Sequence, residues 1–200
     1  MKKILTLILC ICFIFIISGL LPIHNEAKIY DSVLRLHVVA NSNSKEDQAL
    51  KLKVRDKILE LGEELFADCG TLAHTQAVIE DNLDRIQTYA EEQIHSLGYS
   101  YPVKVRLSNE EYPSKQYGSL CFPSGEYSSL QILIGDAVGD NWWCVLFPPL
   151  CLGAATATTT NEDAFIQVGL NAEQYEIITE TKKGAYEARF RILEALEEIF

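Results

Sequence analysis

The first chemistry to test in this sequence is that of a thiol. Cys144, His37 and Asn141 are the residue types of a thiol hydrolase: a sulfur nucleophile, an imidazole base and an amide to orient it. Such a sulfur needs thiolate character and an adjacent base. Cys144 instead stands in an uncharged run, Asn141-Trp142-Trp143-Cys144-Val145-Leu146-Phe147-Pro148-Pro149-Leu150-Cys151-Leu152. Apolar surroundings keep a thiol protonated and inert. Metal chemistry has less support still. His24, His37, His74 and His95 are isolated, and no Cys-x-x-Cys or His-x-x-x-His spacing occurs, so no metal and no cofactor is expected.

The same run offers a second chemistry, a cross-link. Cys144 and Cys151 are equidistant from the Phe147–Pro148 bond. In a hairpin whose turn is Leu146-Phe147-Pro148-Pro149 they face each other, placed for a disulfide. Proline at the third place of that turn suggests a type VI turn with a cis bond. Two alternatives stay open: a pair of buried thiols, or Cys69 and Cys121 as the bonded partners.

The run also carries both tryptophans of the chain. By strand alternation Trp142, Cys144 and Leu146 share one face, and Trp143, Val145 and Phe147 share the other. Both faces are apolar. A sheet with helices on one side leaves one set uncovered, and adjacent exposed aromatics anchor protein interfaces. A central strand covered on both sides is the alternative. The reading adopted is a split role, one indole in the core and one near a partner surface. It makes Trp142, Trp143 and Phe147 candidates for partner contact.

These residues need elements to hold them. Residues 33–40 alternate as a strand, with Leu34, Leu36 and Val38 on one face and Val33, Arg35, His37 and Val39 on the other. Asn41-Ser42-Asn43-Ser44 ends it with turn chemistry. Ser44 is a good N-cap, with Asp47 three residues on, so a helix is expected from about Lys45 to Phe66. Leu50, Val54, Ile58, Leu61 and Leu65 form its apolar stripe. A second helix is expected from Thr71 to Leu97, capped by Gly98 and packed on the first as a hairpin. Val103, Val105 and Leu107 begin a strand with one wet face. Residues 112–120 read as a less regular strand and 128–134 as a clearer one. Asn141 onward is the last strand of the set.

The fold class is therefore α+β: an antiparallel sheet with a helical hairpin inserted after the first strand and a C-terminal helix, the helices mainly on one face. Domain organisation reads as an export signal or N-terminal membrane anchor over 1–27 and an α+β domain over 28–152. A linker and irregular segment follows over 153–182, then a helix over 183–200. The first segment has Lys2 and Lys3 before an apolar stretch from Ile4, with Ser18 and Gly19 near its end. That is an export pattern, either cleaved or retained as an anchor over residues 4–21. Export makes disulfides chemically permissible.

Net charge narrows the partners. The chain carries 17 Lys plus Arg against 28 Asp plus Glu, a net charge of −11. That sign argues against a phosphate-binding surface for nucleic acid and against electrostatic attachment to anionic lipid. A protein or peptide partner remains. No small-molecule substrate is indicated, and membrane contact is expected only through the N-terminal segment.

Two stretches carry a family resemblance. One is Leu34-Arg35-Leu36-His37-Val38-Val39-Ala40-Asn41-Ser42-Asn43-Ser44, continuing from Glu46 to Asp56. The other is Asn141 to Cys151. Together they resemble the stage II sporulation protein R family of endospore-forming bacteria, and residues 186–194 fit the family's end. The resemblance implies a protein exported from the forespore into the space between forespore and mother cell membranes. There it activates a membrane-embedded aspartic protease of the mother cell, leading to cleavage of the pro-form of sigma factor E. It implies no catalytic residues, because the family acts as a signal. Arg35 and His37 read plainly as partners for acids on a neighbouring strand, and the resemblance adds a recognition role. Asn41 joins them as a candidate, although its turn reads first as a strand-to-helix cap. Two other functions compete: an exported cell-envelope thiol hydrolase using Cys144, and a structural protein of the sporulation septum.

Overall fold

The structure, a computed structural model, describes residues 6, 13, 29–117, 120–150 and 178–179. Its centre is a four-stranded sheet in the order β2-β5-β1-β6, built from β1 (Leu34–Val39), β2 (Val103–Tyr112), β5 (Gly125–Ile134) and β6 (Asn141–Phe147). A two-stranded ribbon, β3 (Lys115–Tyr117) with β4 (Leu120–Phe122), forms a second, separate sheet. Three helices, α1 (Lys45–Leu65), α2 (Leu72–Asp81) and α3 (Leu83–Ser96), lie between β1 and β2.

The class is α+β as expected, but the sheet is mixed. β1 runs antiparallel to β6, while β1 and β5 are parallel, with Leu36 opposite Leu130. The cause is the helical insertion. Two helical passes return the chain to the end where β1 exits, so β2 runs against β1. The β3–β4 ribbon then reverses it once more.

Local chemistry explains the helices. Ser44 caps α1, its Oγ accepting from the Asp47 amide at 3.1 Å. Leu50, Val54, Ile58 and Leu61 are buried against Leu34, Leu36, Val38, Leu130 and Ile132. The expected second helix is two, because the chain breaks at Asn82 (φ −117, ψ 12), whose side chain turns back to donate to the Val78 carbonyl at 2.8 Å. Gly98 takes the left-handed conformation (φ 84) that its capping place calls for.

Because β5 and β6 are separated by β1, their connection must cross the end of β1. Residues 135–140 make that crossing. Asn41 Oδ1 accepts from the Asp136 amide at 2.9 Å, and Asn43 Oδ1 from the Asp140 amide at 2.6 Å. The chains approach so closely that a Cβ on Gly139 would lie 2.3 Å from the Ser42 carbonyl oxygen.

The expected segment over 1–27 lies outside the described residues except for Thr6 and Phe13. So do Cys151, Leu152, the helix expected over 183–200 and the segment 153–182 apart from Ile178 and Thr179. Among the described residues no helix is long and apolar enough to cross a membrane.

Candidate functional site

The helices cover one sheet face, and the other carries the polar candidates. Period-two alternation puts Arg35 and His37 of β1, Ser129 and Gln131 of β5, and Ser108 and Glu110 of β2 on this second face. It is not the open, wet surface that alternation alone suggests. The β3–β4 ribbon, Ile29 and Ile178 close part of it around Val33, Tyr112, Phe122, Tyr127 and Val145.

Arg35 is fully buried there and has no acidic partner among the described residues. Aromatic rings surround its guanidinium: Tyr112 at 4.4 Å, Tyr127 at 5.0 Å, Phe122 at 5.5 Å and Tyr117 at 5.7 Å to the ring centroids. Nε donates to the Cys144 carbonyl at 3.3 Å and Nη2 to the Tyr117 hydroxyl at 3.0 Å. Tyr117 passes the chain on, donating to the Trp143 carbonyl at 3.1 Å. A desolvated cation over several ring faces is held by their quadrupoles in place of a counter-ion. Burial pushes the hydroxyls of Tyr112 and Tyr117 above the ordinary tyrosine range, with the Arg35 charge opposing it.

His37 does find an acid. Nδ1 lies 3.0 Å from Glu110 Oε2, and Nε2 lies 2.8 Å from Asn141 Oδ1. Burial works to raise the Glu110 carboxyl, but the hydrogen bond and charge of His37 outweigh it and hold it below the ordinary value. Asn41, by contrast, is committed to structure. Its Nδ2 donates to the buried Asp47 carboxylate at 2.9 Å while Oδ1 holds the crossing loop.

The tryptophans divide as expected by face. Trp142 packs against the helix-side core, with the Arg55 guanidinium 4.8 Å from its ring. Trp143 lies on the second face, half-buried, with Lys115 Nζ 5.2 Å from its ring and the His37 ring 5.8 Å away. Phe147 departs from the expected grouping. The β1–β6 register shifts between Leu34 and Arg35, so Val145 pairs with Arg35 but Phe147 with Leu34. This bulge turns Phe147 into the helix-side core with Leu146, where it is buried. Buried there, Phe147 offers no surface to a partner.

The same register dismantles the hydrolase triad. Cys144 pairs with Leu36, and His37 with Trp143. His37 and Asn141 meet on the second face, while Cys144 belongs to the opposite one and is buried. The Phe147–Pro148 bond is cis. Cys69 and Cys121 are thiols, so they are not bonded to each other, and Cys144 is not among the thiols. Its expected partner Cys151 lies outside the described residues. No group of three His, Cys, Asp or Glu side chains among the described residues is placed to hold a metal ion.

The residues that sequence reasoning missed are Glu110 and the rings around Arg35. Glu110 and Tyr112 alternate with Ser108 on β2, as Tyr127, Ser129 and Gln131 alternate on β5. That period was the available signal. The face also holds Arg35 Nη1, Ser108 Oγ and Gln131 Nε2, the buried side-chain polar atoms without a hydrogen bond among the described residues.

A family model for stage II sporulation protein R matches residues 30–157. A curated relative, stage II sporulation protein R of Bacillus subtilis (strain 168), is 29% identical over 225 residues, covering the whole of both chains. No solved structure matches.

Proposed function

Since this chain belongs to the stage II sporulation protein R family, its role is in sporulation, and we propose that it is the exported signal that activates a membrane-embedded aspartic protease of the mother cell. Activation leads to cleavage of the pro-form of sigma factor E. The apolar segment behind Lys2 and Lys3 delivers the chain into the space between the two membranes, cleaved or held as an anchor over residues 4–21. The observation that carries this reading is the separation of Cys144 from His37 on opposite faces of β6 and β1. It separates the one nucleophile–base pair the sequence offered, which supports a binding role over hydrolysis. On the second face Trp143 stands half-buried between Lys115 and His37.

A Cys144–Cys151 disulfide belongs to this proposal, because an oxidising space beyond the membrane favours it. Mass spectrometry of the exported protein with and without reductant tests it; unmodified thiols at both positions would sink it.

The function itself is tested by a sigma factor processing reporter in a strain lacking this gene. Processing should stop and return when the gene is restored. Normal processing together with a cell-wall defect would favour a structural role in the septum.

A further inference from the structure

A groove of about 500 Å³ runs between the first turns of α1 and the link after α3. Lys45, Ala49 and Lys53 stand at four-residue steps and form one row along the helix. Small Ala49 leaves space between the two lysines. Leu50, Leu97 and Tyr99 complete an apolar floor, and Leu97 is 43% exposed. Glu46 is the single carboxylate of the lining. The groove is thus locally cationic on a chain of net charge −11.

We infer that this groove docks an extended acidic segment of a protein partner, with an apolar side chain over Ala49 and carboxylates on Lys45 and Lys53. The spacing suits it. Eight residues of helix separate the lysines by about 12 Å, and carboxylates four residues apart on an extended chain lie about 13 Å apart. An anionic bilayer is the poorer occupant. A bilayer spreads over the acidic surface around the groove, whereas a short peptide meets only the groove. The inference rests on the reading of this chain as a protein ligand and names the surface and chemistry of that contact.

The test is selection of random short linear peptides displayed on phage against the full chain. Anionic vesicles containing phosphatidylglycerol serve as a second probe. Enriched peptides should carry two carboxylates flanking an apolar residue. A Lys45→Glu, Lys53→Glu variant, with an unchanged unfolding midpoint because both lysines are exposed, should weaken their binding about tenfold. Enrichment of peptides without carboxylates, or binding indifferent to the double reversal, overturns the inference. So does preference for the vesicles over peptides. The variant is also put through the processing reporter. Full processing by the reversed variant, against none in the gene deletion, defeats the groove while leaving the signalling role intact.

Discussion

His37 on β1 is hydrogen-bonded to Glu110 on β2 at 3.0 Å although β5 lies between their strands. The reach is diagonal, over the small Ser129 side chain, between His37, which pairs with Gln131, and Glu110, which pairs with Tyr127. On its other side His37 meets Asn141 of β6. One imidazole therefore ties both outer strands to the middle of the sheet. Protonated, it has an N–H for each partner.

This tie sets a pH dependence. Glu110 is held below the ordinary value of 4.5, so the folded chain binds fewer protons there than the unfolded chain. Its contribution is present above that value and is lost as pH falls through the lowered folded one. Glu110→Gln should cost about 1 kcal/mol or less at neutral pH, as a partly exposed pair does. The variant should also lose stability less steeply than the parent below 4.5. Urea unfolding at stepped pH checks it; parallel curves for parent and variant count against the tie.

Arg35 makes a different prediction, because rings hold it where an acid was expected. Arg35→Ala leaves a hole among Tyr112, Tyr117, Phe122 and Tyr127 and should cost about 3 kcal/mol or more. Arg35→Met fills much of that space without a buried charge and should cost less. Arg35→Lys keeps the charge but buries a compact, strongly hydrated ammonium without the planar fork, so it should be worse than Met. Denaturant midpoints rank the three. Lys above Met would mean that charge, not ring packing, holds the site.

What could be read in the sequence was local. Ser44 and the stripe from Leu50 to Leu61 located α1 within a residue or two, because capping and 3.6-residue spacing act over one or two turns. The break at Asn82 was hidden, since Ile79, Leu83 and Ile86 keep helical spacing across it. Non-local facts were not legible. The parallel pairing of β1 with β5 depends on the helical passes between them. The burial of Arg35 depends on the strands Lys115–Tyr117 and Leu120–Phe122 folding over it. The turning of Phe147 into the core depends on one bulge, which alternation cannot anticipate.

The crossing of β1 by residues 135–140 should be sensitive at two places. Gly139→Ala drives a Cβ to within 2.3 Å of the Ser42 carbonyl, which belongs to backbone and cannot swing away. A cost of about 1–3 kcal/mol is expected. Asn41→Ala frees the Asp136 amide and removes one donor from buried Asp47, again about 1–3 kcal/mol. Hydrogen exchange should quicken at the Asp136 amide in the Asn41 variant. Unchanged protection there would show that the side chain does not hold the crossing.

Trp142 and Trp143 are neighbours in sequence on opposite faces of β6, and separating them is the sharpest test of the proposed partner face. Trp142 fills the helix-side core beneath Arg55, so Trp142→Ala should lower stability by about 2 kcal/mol, less than a fully buried indole because it is half-buried. Trp143 lies on the second face with Lys115 and His37, where part of its surface faces solvent. Trp143→Ala should leave the fold nearer to the parent and reduce sigma factor processing more than its stability loss explains. Thermal unfolding and the processing reporter, measured on both variants, separate the effects. Hot-spot aromatics act through contact, so Trp143→Phe should restore processing in part. If processing instead tracks stability alone across all three variants, Trp143 serves the core and the contact surface lies elsewhere.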